Sequence, residues 1–388
     1  MSSPTPDMRR FDEFMDEALY GPSGFYVRGG RPAARGGDFA TSPELGTLFA
    51  RCVAGWLDRT WDELGRPDPF VVVEGGAGRG TLCRDVFAHV AACRDAVRYV
   101  MVERVAHQRD EARAAIGMSG ISGDCSVPDD SLARIGDADV PERIVAVSDL
   151  PVGPLVGVVL ANELLDNLPF RLLERSETGW QEVHVDRAEP ATNMPPVDEG
   201  HGTPEQEIVR PTAGRVTEVL REAPADAAAM AEVMAPDAAP GARVPLQLKA
   251  AVWVRRALRL LERGRLLTFD YGVRRTADLA QRPQSEWLRT YRSQRRGHEP
   301  LEAPGSADIT CDVAFDQLPP GATLSTQAEW LGAAGINSMT ADARALWQRK
   351  RSKPTAEALA ARTLLDEAAA LTDPDGMGAF WAAEWHVG

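Results

Sequence analysis

The stretch FVVVEGGAGRGTLCRDVF, Phe70 to Phe87, places an acidic residue and three evenly spaced glycines between a β-branched run and a helical one. Such a turn, between a strand and the helix after it, lets a ligand approach the backbone near the strand's carboxyl end. Spacing decides which ligand. A phosphate-binding P-loop needs a Lys after its last glycine, and Gly80 is followed by Thr81. The dinucleotide fingerprint G-x-G-x-x-G fails whether counted from Gly76 or from Gly78. What stands is acidic-x-G-x-G-x-G, formed by Glu74, Gly76, Gly78 and Gly80. A carboxylate beside the turn suits a cationic ligand and repels a pyrophosphate. The next apolar run, YVMVERV, delivers Glu103 at the spacing where an acid accepts both hydroxyl hydrogen bonds of a ribose.

A third constellation is VVLANELLDNLPF, in which an apolar run breaks into Asn162, Glu163, Asp166 and Pro169. A turn of helix beginning here puts Glu163 and Asp166 on one face. Two carboxylates so paired can hold a planar cation and take a proton from it. LLTFDYG delivers Asp270 and Tyr271 in the same way. Each feature also has a purely structural reading: Glu103 as an acid at a helix start, Asn162 as an N-cap with acids behind it, Tyr271 as packing before a turn.

These residues need a sheet to carry them. FVVVE, VRYVMVE, LVGVVLANE and RLLTFDYG read as buried parallel strands. TLCRDVFAHVAAC, VAHQRDEARAAI and AAVWVRRALRLLERG, the last closed by Gly264, read as helices. The alternation predicts a doubly wound α/β sheet. Helical spacing dominates Arg9 to Leu64, interrupted by GPSGFYVRGGRPAARGGDFATSPE, a loop too aromatic for a mere linker. The Ala-, Pro- and acid-rich stretch 186–243 reads as an insertion, partly mobile and partly helical. The expected organisation is an N-terminal helical cap over 1–68, core over 69–185, insertion over 186–243, and the remaining core with substrate-side elements over 244–388.

Composition narrows the partners. A formal net charge of −14 argues against nucleic acid and for a cationic partner. No stretch reaches the roughly 18 uninterrupted apolar residues of a membrane span. The N-terminus lacks an apolar signal core, and Asp12, Glu13, Asp16 and Glu17 do not suit an acid-poor transit peptide, so a cytoplasmic location is expected. Five cysteines without a C-x-x-C pair signal neither a disulfide framework nor a zinc site, and no metal is expected.

Acidic-x-G-x-G-x-G is the pattern of class I methyltransferases, which bind S-adenosylmethionine, a ligand carrying an ammonium and a sulfonium. The chain resembles the MidA-like family of such enzymes, which includes the mitochondrial protein arginine methyltransferase that helps assemble respiratory complex I. The resemblance runs through FMDEALYGPSGFY, GGDFATSPELGTLF, VEGGAGRGTL, YVMVE, ANELLDNLP, LLTFDYG, GSADITCDVAFDQL, TQAEWLGAAGI and DPDGMGAFW. It implies a class I, Rossmann-like methyltransferase fold with S-adenosylmethionine as cofactor. Asp38, Thr41 and Glu44 would lie over that cofactor and Asp149 near its adenine. Asn162, Glu163 and Asp166 would be catalytic, and Asp270, Tyr271 and Asp308 would line the substrate side of the same cavity. The implied partner is a protein or small-molecule methyl acceptor, with no nucleic acid or membrane, and a homodimer is left open.

The chain departs from the family pattern at Ala77 for Pro, Leu164 and Leu165 for an aromatic pair, Asp312 for His and Trp381 for Lys. It has VPLQLKAA where a Glu usually precedes a helix. These departures fall in regions expected to touch substrate, so three readings stand: protein arginine methylation, small-molecule O- or N-methylation in secondary metabolism, and a non-catalytic scaffold that keeps the fold.

Overall fold

The computed structural model describes residues 8–30, 41–118, 143–187, 216–292, 295–297 and 299–388. The Val-rich run folds as β1 (Phe70–Gly75), buried at every position. Burial on both faces is why its sequence shows no alternation. Phe70 and Val72 join one apolar cluster, Val71 and Val73 the other. Around β1 the sheet gathers β2 (Val97–Val102), β3 (Ile144–Val147), β4 (Leu155–Asn162), β5 (Leu261–Asp270), β6 (Thr323–Thr326) and β7 (Trp381–Val387). The order is β3-β2-β1-β4-β5-β7-β6. The first five are mutually parallel, β7 runs antiparallel to β5, and β6 antiparallel to β7.

Strand order reverses between β1 and β4, and ligands of open α/β sheets bind at such a point, outside the carboxyl ends of the strands. The register makes those ends level. Gly75 pairs with Val102 of β2 and Ala161 of β4, and Asn162 pairs with Phe269 of β5. The residues that follow, Gly76, Glu103, Glu163 and Asp270, therefore emerge along one edge.

Around this sheet and beside it lie helices α1 (Phe11–Tyr20), α2 (Leu48–Glu63), α3 (Thr81–His89), α4 (Ala106–Met118), α5 (Leu248–Leu260), α6 (Gln327–Ala334) and α7 (Ala356–Thr372). Helices α2, α3 and α6 cover one face of the sheet, and α5 the other. None of the helices among the described residues is long and apolar enough to cross a membrane.

A second, antiparallel sheet sits beside the core, built from Met8–Arg10, Arg171–Arg175, Trp180–Arg187, Val216–Glu222 and Arg243–Leu246. It corrects the expected organisation. The boundary at 186 cuts a strand, the boundary at 243 cuts another at its first residue, and the described parts of 186–243 supply the strand Val216–Glu222 and the helix Ala225–Met234, which packs on the sheet. Backbone pairing orders this stretch, and composition is blind to it because Val216–Glu222 buries little of its side chains. Residues 188–215 lie outside the described residues. The 1–68 cap also divides: α1 packs Phe11, Phe14 and Met15 against Phe170, Leu172 and Val183, whereas α2 belongs to the core face.

Gly264 does not close a helix. Helix α5 ends at Leu260 and β5 begins at Leu261, with Gly264 inside the strand at φ 148°. A Cβ there would lie 1.7 Å from the carbonyl oxygen of Gly157, so only glycine at 264 lets β5 meet β4 at this register, as Gly157 does for β4 against Val71 of β1. Gly264→Ala is expected to destabilise the protein by about 2 kcal/mol or more, read as a lower urea midpoint or loss of soluble protein. A wild-type midpoint would mean the strands part easily here.

Candidate active site

The turn after β1 holds Gly76, Gly78 and Gly80 at φ 68°, 52° and 73°, the left-handed region that side chains avoid. Two of the three also need the missing Cβ. At Gly76 it would stand 3.0 Å from Leu164 Cδ1, and at Gly80 3.0 Å from Met101 Sδ. Gly78 has open space instead, and its N–H donates to Glu103 Oε2 at 3.0 Å. Glu103 Oε1 accepts from Val105 N–H at 2.8 Å. Each carboxylate oxygen keeps a further lone pair, which is what ribose hydroxyls require. Burial pushes the Glu103 carboxyl above its usual range despite both backbone donors.

Glu74 is 5% exposed and accepts from Tyr99 Oη at 2.8 Å. Burial, with Glu103 nearby, raises its pKa to about 8. Glu44 accepts from Thr81 Oγ1, the first residue of α3, at 2.7 Å. Asp149 pairs with Arg256 at 2.8 Å on the exposed rim. Asp38 lies outside the described residues.

These groups surround a cavity of about 470 Å³. Thr41, Glu44, Glu74, Gly76, Gly78, Glu103, Asp149, Asn162 and Glu163 line it; Gly80 stands behind, spacing α3 from α4. Its two arginines are committed to acids: Arg79 to Glu111 at 2.8 Å, and Arg104 to Asp16 at 2.8 and 3.2 Å. Five carboxyl groups thus face a space whose cations are already paired, which fits a cationic nucleoside and opposes a polyphosphate.

Glu163 is the one residue of the ANELLDNLP turn in the left-handed conformation, at φ 50°. Such strain in a residue with a side chain persists where the surroundings enforce it. Its N–H donates to Phe269 O at 2.8 Å. Its Oε1 accepts from Asn162 Nδ2 at 2.9 Å and from Ser42 N–H at 3.2 Å. Loss of hydration first, and the charge of Asp166 second, raise its pKa to about 8.

The expected helix does not start at Asn162. A single 3-10 turn covers Leu165–Asn167, so Glu163 and Asp166 do not share a face. Asp166 turns inward, 3% exposed, and accepts a very short hydrogen bond from Tyr271 Oη. Asp270 is sealed; its Oδ2 accepts from Leu165 and Asp166 N–H at 2.9 and 3.3 Å, and its Oδ1 from Tyr271 N–H at 3.1 Å. Asp308, also sealed, accepts from Tyr26 Oη at 3.0 Å and Asn167 Nδ2 at 3.1 Å. The expectation that Asp270, Tyr271 and Asp308 line the cavity is therefore corrected: with Asp166 they lie behind the turn and brace it.

The cavity wall also holds Tyr20, Tyr26, Leu164, Asn167 and Trp253, which sequence reading did not select. Tyr20 and Tyr26 stack with centroids 5.4 Å apart, and they flank the loop whose aromatic content was the available signal. Asn167 gave none, standing in a motif already crowded with polar residues. Of the departures from the family pattern, Leu164 and Ala77 reach the cavity. Asp312 pairs with Arg282 at 3.1 Å and with Arg289, and Trp381 Nε1 donates to Gly272 O at 3.1 Å. Gln247, in VPLQLKAA, donates to Asp312 O at 3.0 Å and accepts from Ala314 N–H at 2.8 Å. These three are absorbed by packing away from the cavity.

A family model described as S-adenosyl-L-methionine-dependent methyltransferase matches residues 52–334. The mitochondrial protein arginine methyltransferase NDUFAF7 homolog of Drosophila melanogaster is 28% identical over 313 residues, 78% of this chain and 64% of that one. The zebrafish (Danio rerio) protein arginine methyltransferase NDUFAF7 is 27% identical over 317 residues, 79% of this chain and 66% of that one. The chain thus spans slightly under two thirds of the length of these curated relatives. A Burkholderia thailandensis protein crystallised with S-adenosyl-homocysteine aligns over 97% of this chain and 87% of its own, with TM-score 0.74 and 25% identity. The expected fold class stands. The expected cytoplasmic location does not, because the relatives are named mitochondrial; free thiols and an acidic balance fit more than one reducing compartment and cannot separate them.

Glu74, Glu163 and Asp308 each sit near pKa 8 in the folded chain, well above the ordinary carboxyl range. Their stabilising contribution is full below the unfolded-state values, 4.5 for the two Glu and 3.8 for Asp308, and is lost as pH rises through about 8. The melting temperature of the ligand-free protein is expected to fall between about pH 5 and 8 and to level off above. Glu163→Gln should flatten that fall by a few degrees in calorimetric scans; an unchanged slope would assign the dependence elsewhere.

Proposed function

The chain belongs to the S-adenosyl-L-methionine-dependent methyltransferase family, and on that premise we propose that it methylates a guanidinium nitrogen of protein arginine. The bound cofactor supplies an electrophilic methyl group on a positively charged sulfur. Glu103 takes the ribose hydroxyls, the Gly76–Gly80 turn lets the nucleoside lie against the backbone, and the acids of the cavity favour its positive charge. Thr41, Glu44 and Asp149 line the same cavity and would help hold the nucleoside.

Transfer requires the nucleophile about 3 to 3.5 Å from the methyl carbon and in line with the breaking bond, so positioning supplies much of the acceleration. Glu163 is the observation that carries the reading. It is a carboxyl group strained toward the cavity and held by Asn162 and Ser42, and it is poised near pKa 8. A guanidinium set against it leaves one carboxylate oxygen to orient the nitrogen. As the nitrogen–carbon bond forms, one N–H proton must leave, and a base with a pKa near the working pH is suited to take it. Asp166, Asp270 and Tyr271 serve as positioning residues that fix the turn carrying Glu163.

The relatives named protein arginine methyltransferases support this acceptor. The scaffold reading drew on Asp312 and VPLQLKAA, which packing accounts for; the small-molecule reading drew on the substrate-side departures together, of which Leu164 and Ala77 line the cavity.

Glu163→Gln is expected to lower turnover by about 10²- to 10⁴-fold while calorimetric affinity for S-adenosylmethionine stays within about threefold of wild type. Lost cofactor affinity with normal turnover would reassign the residue. With methyl-labelled cofactor and cell lysate, label should appear as methylarginine in hydrolysed protein. Label confined to the small-molecule fraction would overturn the arginine acceptor.

A further inference from the structure

Asn167 is 6% exposed on the wall of the cavity. An Asn amide has two N–H donors on one side and one oxygen on the other. Here Nδ2 donates to Asp308 Oδ1 at 3.1 Å and to Ile309 O at 3.2 Å. A backbone carbonyl can only accept, so the NH₂ side is fixed inward and Oδ1 is left over. No hydrogen bond from the described residues reaches that oxygen. That oxygen is open to the cavity, where it can accept from a donor placed against it.

The same turn repeats the arrangement. Asn162 gives Nδ2 to Glu163 Oε1, and its Oδ1 is buried without a partner. Asn162, Glu163 and Asn167 all line the cavity; Asn162 Oδ1 is sealed, so the side-chain groups left to offer there are the oxygens of Glu163 and Asn167. A phosphate, carboxylate or ether set against them would leave them unpaired, and a hydroxyl could satisfy one. A guanidinium carries five N–H donors in one plane. Tyr26, stacked on Tyr20 and tied through its hydroxyl to the same Asp308 oxygen, adds a flat aromatic wall suited to a planar cation.

We propose that Asn167 is a specificity-determining residue that reads the acceptor's N–H groups through Oδ1, and that the sealed Asp308 positions it. The proposal rests on the guanidinium reading above and goes beyond it by naming the discriminating oxygen and the group that aims it.

The test uses two adenosine probes extended at the 5′ position by the same chain, one ending in a guanidinium and the other in a hydroxyl, with S-adenosyl-homocysteine as control. Wild-type protein should bind the guanidinium probe about tenfold or more tighter than the hydroxyl probe. Asn167→Leu should remove most of that preference with affinity for S-adenosyl-homocysteine within about threefold. Asp308→Ala, which leaves only the Ile309 carbonyl to hold the amide, should weaken the preference; Asp308→Asn, which can still accept from Asn167, should keep it. The proposal is overturned if Asn167→Leu retains the full preference or if Asp308→Asn loses it as completely as Asp308→Ala. It is equally overturned if Asn167→Leu and Asp308→Ala both abolish binding of S-adenosyl-homocysteine, since the two residues would then hold the fold instead of the acceptor. No preference in the wild type would instead sink the guanidinium reading itself.

Discussion

The level ending of four parallel strands is the constraint from which the rest follows. Because Gly75, Val102, Ala161 and Thr268 lie in register, the acids around them are forced onto a single edge of the sheet. Glu74, Glu103 and Glu163 face the cavity there, Asp270 is sealed behind, and the cations within reach are already spent on other acids. Carboxyl groups crowded into low dielectric resist ionisation, so their pKa values rise. A ligand that brings positive charge relieves that resistance, which ties the fold of the edge to the charge of what it binds.

Within this edge the polar groups divide by depth. Cavity-facing groups keep lone pairs in reserve: Glu103 after its two backbone donors, Glu163 after Asn162 and Ser42. The deeper acids brace the protein, although Asp166 Oδ1 and Asp308 Oδ2 stay without a partner among the described residues. Asp270 gathers the N–H groups of Leu165, Asp166 and Tyr271, and so does for the ANELLDNLP turn what a helix cap would do. Asp308 ties Tyr26, from the N-terminal segment, to Asn167. The strained Glu163 backbone is sustained by this second layer.

The second sheet has a structural part in the same arrangement. It packs with α1, and α1 brings Tyr20 to the mouth of the cavity and Asp16 to Arg104. Arg104 follows Glu103 directly and lies over the Tyr20 ring at 4.5 Å. The N-terminal segment and the core are thus joined at the residue next to Glu103.

By itself the sequence determined the strands, the glycine turn and Glu103. Buried parallel strands leave continuous apolar runs, and a left-handed turn that admits no Cβ leaves glycines, so both are written locally. Which acids face the ligand was decided by tertiary structure alone. Asp166 and Glu163 look equivalent along the chain, yet one residue in the left-handed conformation and a 3-10 turn send them to opposite sides. Gly264 looked like a helix stop and proved to be the place where β4 and β5 nearly touch, because a contact with Gly157, over a hundred residues away, has no trace in local pattern. The same holds for the second sheet, whose strands around 180–246 are ordered by backbone pairing. Hydrogen bonds between distant peptide groups leave no mark on composition, and that is why the bounds 186–243 cut through strands of this sheet.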